Sequence, residues 1–427
     1  MLATSLGSNA RLRNSSDIAD LENGSDVQKS APLSLVPEPA EGIRLPAQQG
    51  DMSPRIAEYL ATHEIDDAYL VVDVDIVEHN YISMVRALPV ARVYYAVKAN
   101  PADAIIERLA SLGSNFDTAS PGEIDLCLSL GVAPGRISYG NTIKKQRDIA
   151  YAYSRGVRMF AFDSDAELEK LAESAPGSAV YCRVLMECAG AEWPLSRKFG
   201  CEPEMAVRLL GRARDLGLDP YGISFHVGSQ QTDLGQWDIA VRRVSAMFDE
   251  LRGQGIELRM VNLGGGLPAR YRAGVRPVED YAEAIMKAMV DHFGPSIPEI
   301  IVEPGRSIVG DAGVIQAEVV LISRKADDET KRWVYLDLGK FSGLAETMDE
   351  SIKYRFVTPH DGGETGPVIL AGPTCDSADI LYEKTHYELP LGLKVGDKVQ
   401  ILSTGAYTTT YSAVNFNGFA PLRSVCI

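Results

Sequence analysis

The stretch ARVYYAVKANPADAIIERLASLGSNFDTASPGEIDLCLSLGVAPGRISYG, residues 91–140, decides how the rest of the chain is read. A short apolar and aromatic run at 92–97 is followed by helical spacing at 102–112. A second run at 114–117 precedes helical spacing at 123–130, and a third lies at 137–139. Short β-branched and aromatic runs suit buried strands, and apolar residues three to four apart suit helices. Further along, strands are expected at 159–162, 180–185, 222–226, 260–263 and 299–302, with helices at 165–175, 205–216 and 237–254. Eight strands alternating with helices predict an α/β fold, a closed (β/α)8 TIM barrel; an open doubly wound sheet is the competing architecture.

Outside that alternation the pattern changes twice. Residues 1–52 are rich in Ser, Asn, Pro, Ala and Gly and lack a sustained apolar period, so a disordered tail is expected. Structure is expected to begin at Ser53-Pro54-Arg55, a helix start, and to continue into a buried strand at 69–73. From Gly313 onward, strand-like runs at 314–323, 332–336, 368–370 and 398–402 are separated by Gly, Pro and Asp turns, with one short helical stretch at 345–354. The expected organisation is a barrel at 76–310 and a β-rich barrel or sandwich domain formed by 53–75 plus 311–427.

A chain of 427 residues with 45% apolar and 23% charged residues can build an ordinary soluble core. Its net charge of −16 argues against nucleic-acid or anionic-membrane partners and fits a small cationic ligand. Cysteines 127, 182, 188, 201, 375 and 426 form no CxxC pair, so neither a disulfide framework nor a zinc site is expected. With no apolar run of bilayer length and no secretory signal pattern, a cytoplasmic location is expected.

Active sites of such barrels are built at the carboxyl ends of the strands. Those positions here hold Lys98, Asp117, Asn141, Asp163, Arg183, His226, Gly264-Gly265-Gly266, Glu303 and Arg306. A lysine at a strand edge is commonly a surface charge. One enclosed in a barrel mouth has its pKa lowered by burial and can attack a carbonyl cofactor. A triple glycine can be a plain turn, but after the seventh strand it lies where barrels bind phosphate, and Arg306 can add a charged donor. Glu303 can pair with Arg306, or it can face the ring nitrogen of a pyridine cofactor. His226 can be a core histidine or stack on that ring, with Ser229 reaching the phosphate. No second His or Cys at ligand spacing supports a metal.

Together the stretches YAVKANP (95–101), FDTASPGE (116–123), WPLSRKFG (193–200), FHVGSQ (225–230), NLGGGLP (262–268), EPGR (303–306), GPTCDSAD (372–379) and GAYTTTYSA (405–413) resemble the alanine-racemase-like pyridoxal 5'-phosphate enzymes. Within that class they resemble the ornithine/diaminopimelate/arginine decarboxylase family, from about residue 54 to the C-terminus. The resemblance implies Lys98 as the Schiff-base lysine, Glu303 as the pyridine-nitrogen partner and His226 as the stacking residue. It places Ser229, Gly264 to Gly266, Arg306 and Tyr407 around the phosphate, with Asp117, Glu123 and Arg183 in support. Cys375 matches the residue that reprotonates the decarboxylated carbanion from the partner subunit, which implies a homodimer with shared sites.

The Cys375-Asp376-Ser377 run resembles enzymes that bind the terminal ammonium of ornithine or lysine, whereas diaminopimelate decarboxylases usually carry glutamate-serine there. A second carboxylate for that ammonium is expected from Asp349 or Glu350. WPLSRKFG resembles the bacterial ornithine/lysine branch, with Pro194 where eukaryotic enzymes have an arginine. The resemblance therefore implies decarboxylation of L-ornithine to putrescine, with L-lysine as a second substrate. The competing expectations are a diaminopimelate decarboxylase and a non-catalytic homologue that sequesters a partner protein.

Overall fold

The computed structural model describes residues 42–186, 191–193 and 198–427. In chain order its strands are β1 (Tyr69–Val72), β2 (Ala91–Ala96), β3 (Asn115–Thr118), β4 (Ile137–Tyr139), β5 (Met159–Phe162), β6 (Ala179–Arg183) and β7 (Ala191–Trp193). These are followed by β8 (Asp219–Ser224), β9 (Ser229–Gln231), β10 (Met260–Asn262), β11 (Glu299–Val302), β12 (Gly313–Ser323) and β13 (Arg332–Leu336). The last five are β14 (Arg355–Val357), β15 (Thr365–Ala371), β16 (Ile380–Pro390), β17 (Lys398–Leu402) and β18 (Arg423–Cys426).

Strands β2, β3, β4, β5, β6, β8, β10 and β11 close into a parallel barrel, β11 pairing back onto β2. Closure excludes the open doubly wound sheet. Alternation along each strand builds two layers. Tyr94, Ala161, Tyr181, Met260 and Ile301 form one buried cluster, while Val93, Tyr95, Phe116 and Phe160 join the larger core that includes the helices. Serine caps start several of those helices: Ser120 accepts from the Glu123 N–H, and Ser164 from the Glu167 N–H.

The second sheet runs β14-β17-β12-β13-β15-β16, with β1 beside β12 and β18 beside β1. β1 thus lies far from its sequence neighbours' sheet: Tyr69 pairs with Gln316 antiparallel and with Arg423 parallel. A buried all-apolar run of four residues suits a strand flanked on both sides.

Two expectations need correction. The expected tail reaches too far. Residues 1–41 lie outside the described residues, but Gln49 donates to Asp311 at 2.9 Å, and Asp51 accepts from Arg355 at 2.6 Å. Polar side chains tie this segment down, with Met52 packed against the cluster around Ile56 and Tyr69, and such contacts leave no apolar periodicity. The helix expected at 345–354 is only a 3-10 turn at Ala345–Glu350, broken where Asp349 and Glu350 take positive φ values of 52° and 56°.

Candidate active site

Lys98 lies in a 3-10 turn (Val97–Ala99) directly after β2. The turn is clamped to the second sheet's connections: the Tyr407 N–H donates to the Ala99 carbonyl at 2.9 Å, and Asn100 donates to the Gly405 carbonyl at 2.9 Å. Lys98 Nζ, half-exposed, is 3.2 Å from Asp117 Oδ2, the carboxylate at the end of β3. Enclosure by itself would lower the Lys98 pKa, as expected from sequence. Asp117, Tyr407 and Glu303 outweigh it and hold the amine above the ordinary lysine range. That is the reverse of the expected direction, because the neighbouring negative groups favour the ammonium form.

Glu303 follows β11. Its side chain accepts a short bond from Asn262 Nδ2, and its N–H donates to the Gly264 carbonyl at 2.8 Å. Burial and the charge of Asp117 push its pKa up to about 7, against the opposing pull of Lys98, Asn262 and Arg183. Glu303 does not pair with Arg306, so the simpler sequence reading fails. His226 Nδ1 accepts the Gly228 N–H at 2.9 Å, which leaves the ring proton on Nε2. Burial, then the charges of Arg183 and Lys98, push the imidazole down to about 3, so it is neutral at ordinary pH.

The triple glycine after β10 approaches neighbouring backbone closely. A β-carbon at Gly264 (φ +65°) would lie 2.3 Å from the Phe225 carbonyl oxygen, and one at Gly266 (φ +104°) 2.6 Å from that of Gly228. Only glycine fits this floor. The Gln231 N–H ties it to β9 through the Gly266 carbonyl, and β9 begins at Ser229. Ser229 Oγ in turn accepts from Arg306 Nε and Nη2 at 3.3 and 3.1 Å. The Arg306 guanidinium also stacks 4.9 Å from the Tyr407 ring centroid. Arg183, the last residue of β6, lies 5.3 Å from the Phe199 ring centroid.

One buried acidic residue escaped the sequence reading. Glu346 meets Arg306 in a two-bond fork, at 2.8 and 2.5 Å. It lies in the segment that supplied Asp349 and Glu350 as candidates, but neither strand-end position nor motif marks it. Glu350, the other candidate for the distal ammonium, has its carboxylate engaged by the N–H groups of Glu383, Lys384 and Thr385 at 2.6–2.8 Å. Asp349 is exposed at the turn.

Cys375 and Asp376 lie on an exposed turn between β15 and β16. Asp379 organises that turn, accepting from Thr374 Oγ1 at 2.7 Å, and Asn417 accepts the Cys375 N–H at 2.9 Å. Asn141 and Asp163 cap neighbouring loop N–H groups, of Ile143 and Gly200. Pro194 and Cys188 lie outside the described residues.

An amine, a neutral ring and a buried carboxyl around a glycine floor beside Arg306 suit a phosphorylated aromatic aldehyde held through a lysine. That is the chemistry of pyridoxal-phosphate barrel enzymes. The chain belongs to the pyridoxal-dependent decarboxylases, residues 74–310 matching the family's pyridoxal binding domain. It is 36% identical over 357 residues to a lysine/ornithine decarboxylase of Selenomonas ruminantium, covering 83% of this chain and 88% of the relative. It is 33% identical over 384 residues to antizyme inhibitor 2 of Xenopus laevis, covering 86% and 83%. The crystal structure of the Selenomonas ruminantium enzyme SrLDC with PLP and cadaverine superposes with a TM-score of 0.79 at 34% identity, covering 89% of this chain and 95% of that one. Pyridoxal 5'-phosphate is therefore the cofactor, and among the described residues no helix is long and apolar enough to cross a membrane.

Proposed function

We propose that the protein decarboxylates L-ornithine to putrescine and accepts L-lysine as a second substrate. The observation that carries the reading is the completeness of the barrel mouth: Lys98 beside Asp117, with Glu303, neutral His226 and the Arg306–Ser229 pair around one glycine floor. Bound pyridoxal phosphate supplies a conjugated acceptor for the electron pair left when carbon dioxide departs.

The chain's own groups have definable tasks. Lys98 must shed a proton from Nζ before it can attack a carbonyl, and Asp117 Oδ2 accepts the hydrogen bond that orients the amine. Glu303 would hold the cofactor's ring nitrogen protonated, and a cation placed there would favour its ionised carboxylate. His226 offers an uncharged face for stacking. Cys375 returns a proton to the α-carbon, and Asp376 with Asp349 binds the distal ammonium. The first two reach the site from a second copy of the chain, and both are exposed on this one.

The lysine/ornithine decarboxylase relative supports the substrate class, and Asp376 favours a cationic side chain over diaminopimelate's second carboxylate. The antizyme inhibitor relative supports a partner-sequestering alternative, against which stands the presence of Lys98, Glu303, Arg306, Cys375 and Asp376. Carbon dioxide release from ornithine, lysine, arginine and meso-diaminopimelate tests the proposal. Preference for either of the last two overturns the substrate assignment. A protein that takes up no cofactor and releases no carbon dioxide favours the sequestering role.

A further inference from the structure

Arg306 has five N–H donors, and each already has an acceptor. Nε donates to Ser229 Oγ at 3.3 Å, and Nη2 to the same oxygen at 3.1 Å and to Glu346 at 2.5 Å. Nη1 donates to Tyr271 at 2.5 Å and to Glu346 at 2.8 Å. A cofactor phosphate that takes a hydrogen bond from Arg306 must therefore displace one of these partners. The two edges of the guanidinium are unequal. Its Nη1/Nη2 edge makes a charge-assisted, bidentate contact with a carboxylate that is only 6% exposed. The Nε/Nη2 edge shares one neutral hydroxyl through two longer bonds.

We propose that Glu346 is a positioning residue: it pins the Nη1/Nη2 edge of Arg306 so that the Nε/Nη2 edge is the one handed to the cofactor phosphate. Ser229 is the group displaced, and its freed hydroxyl turns to donate to the same phosphate. Glu346 stands in the turn at Ala345–Glu350, whose far end Glu350 fastens to three N–H groups at 383–385. The second sheet's connections thereby hold the aim of a barrel arginine. The inference rests on the cofactor reading above.

On charge alone, removing an anion near a phosphate should tighten cofactor binding; on positioning, it should loosen it. The two predictions have opposite signs. The test uses the holoenzyme and pyridoxal 5'-phosphate itself, measuring its release rate by loss of bound-cofactor absorption and the phosphorus-31 shift of the bound phosphate. Glu346→Gln is expected to release cofactor about tenfold faster or more, with a moved phosphorus line, as loss of an orienting group does in other ligand sites. Glu346→Asp should recover part of both. Release at the wild-type rate or slower, with an unmoved line, overturns the proposal. Should Glu346→Gln not fold, Glu346→Asp decides: it keeps the charge but withdraws the carboxylate by one methylene, so faster release supports positioning and wild-type release overturns it. A wild-type protein that binds no cofactor would instead remove the functional reading.

Discussion

Asp117 Oδ1 occupies the space beside Gly140 so closely that a β-carbon on residue 140 would lie 1.9 Å from it. The end of β4 is therefore shaped to admit the carboxylate that faces Lys98. Gly140→Ala must move Asp117 or the strand end, since neither group is the far end of a long flexible side chain. Overpacking of this kind costs about 1–3 kcal/mol. We expect turnover to fall by about tenfold or more through the displaced Lys98–Asp117 pair. Steady-state kinetics beside thermal unfolding will show it, and a Gly140→Ala variant with wild-type turnover would mean that Asp117 does not govern Lys98.

His226 makes the cofactor-free protein acid-sensitive. Its folded pKa is lowered to about 3, whereas an unfolded histidine titrates near 6.5. Below about 6.5 the unfolded chain binds a proton that the folded chain refuses until near pH 3, so acid favours unfolding across that window. The contribution is absent above 6.5 and grows by at most about 1.4 kcal/mol per pH unit as pH falls. The difference in denaturant midpoint between wild type and His226→Gln should be constant above pH 7, with the wild type losing stability faster toward pH 5. Parallel curves would refute the assignment.

Glu303 has the opposite dependence. Burial raises its pKa to about 7, so without cofactor the folded state holds a proton that the unfolded state releases near 4.5. Stability from this group is present below about 4.5 and lost as pH rises toward 7. Glu303→Gln, which keeps an oxygen for Asn262, should therefore stabilise the cofactor-free protein at pH 8 by about 1–3 kcal/mol. The same change should cut turnover by about a hundredfold, through loss of the ring-nitrogen partner. A variant that is less stable at pH 8 than the wild type contradicts the first half; full turnover contradicts the second.

Glu350 should behave as a structural residue. Burial would raise its pKa, but the donors at Thr385, Glu383 and Lys384 prevail and hold it at about 2. Its stabilising contribution is full above about 4.5 and disappears as pH falls toward 2. Glu350→Ala takes the acceptor from three N–H groups that water can partly reach and should cost about 0.5–1.5 kcal/mol. The ratio of kcat/KM for ornithine and lysine should not change. Asp376→Asn should instead raise KM for both substrates by about tenfold or more. A changed ratio in Glu350→Ala would return that residue to the substrate pocket.

The sequence by itself determined the eight-fold alternation of strands and helices, because their periodicities are local; closure into a barrel was decided by the pairing of β11 with β2. It also marked Lys98, Asp117, His226, Gly264 to Gly266, Glu303 and Arg306, since a parallel barrel sends every strand end to one mouth. Tertiary structure alone decided which carboxylate serves which partner. Glu346, Asp349 and Glu350 lie within five residues and look interchangeable along the chain. In the fold, one grips Arg306, one faces solvent and one is fastened to β16. The turn with two positive φ angles that separates them leaves no periodic signal. Asp117 and Gly140 tell the same story: the strand ends are predictable one by one, but the contact between them depends on how neighbouring strands register in the closed barrel.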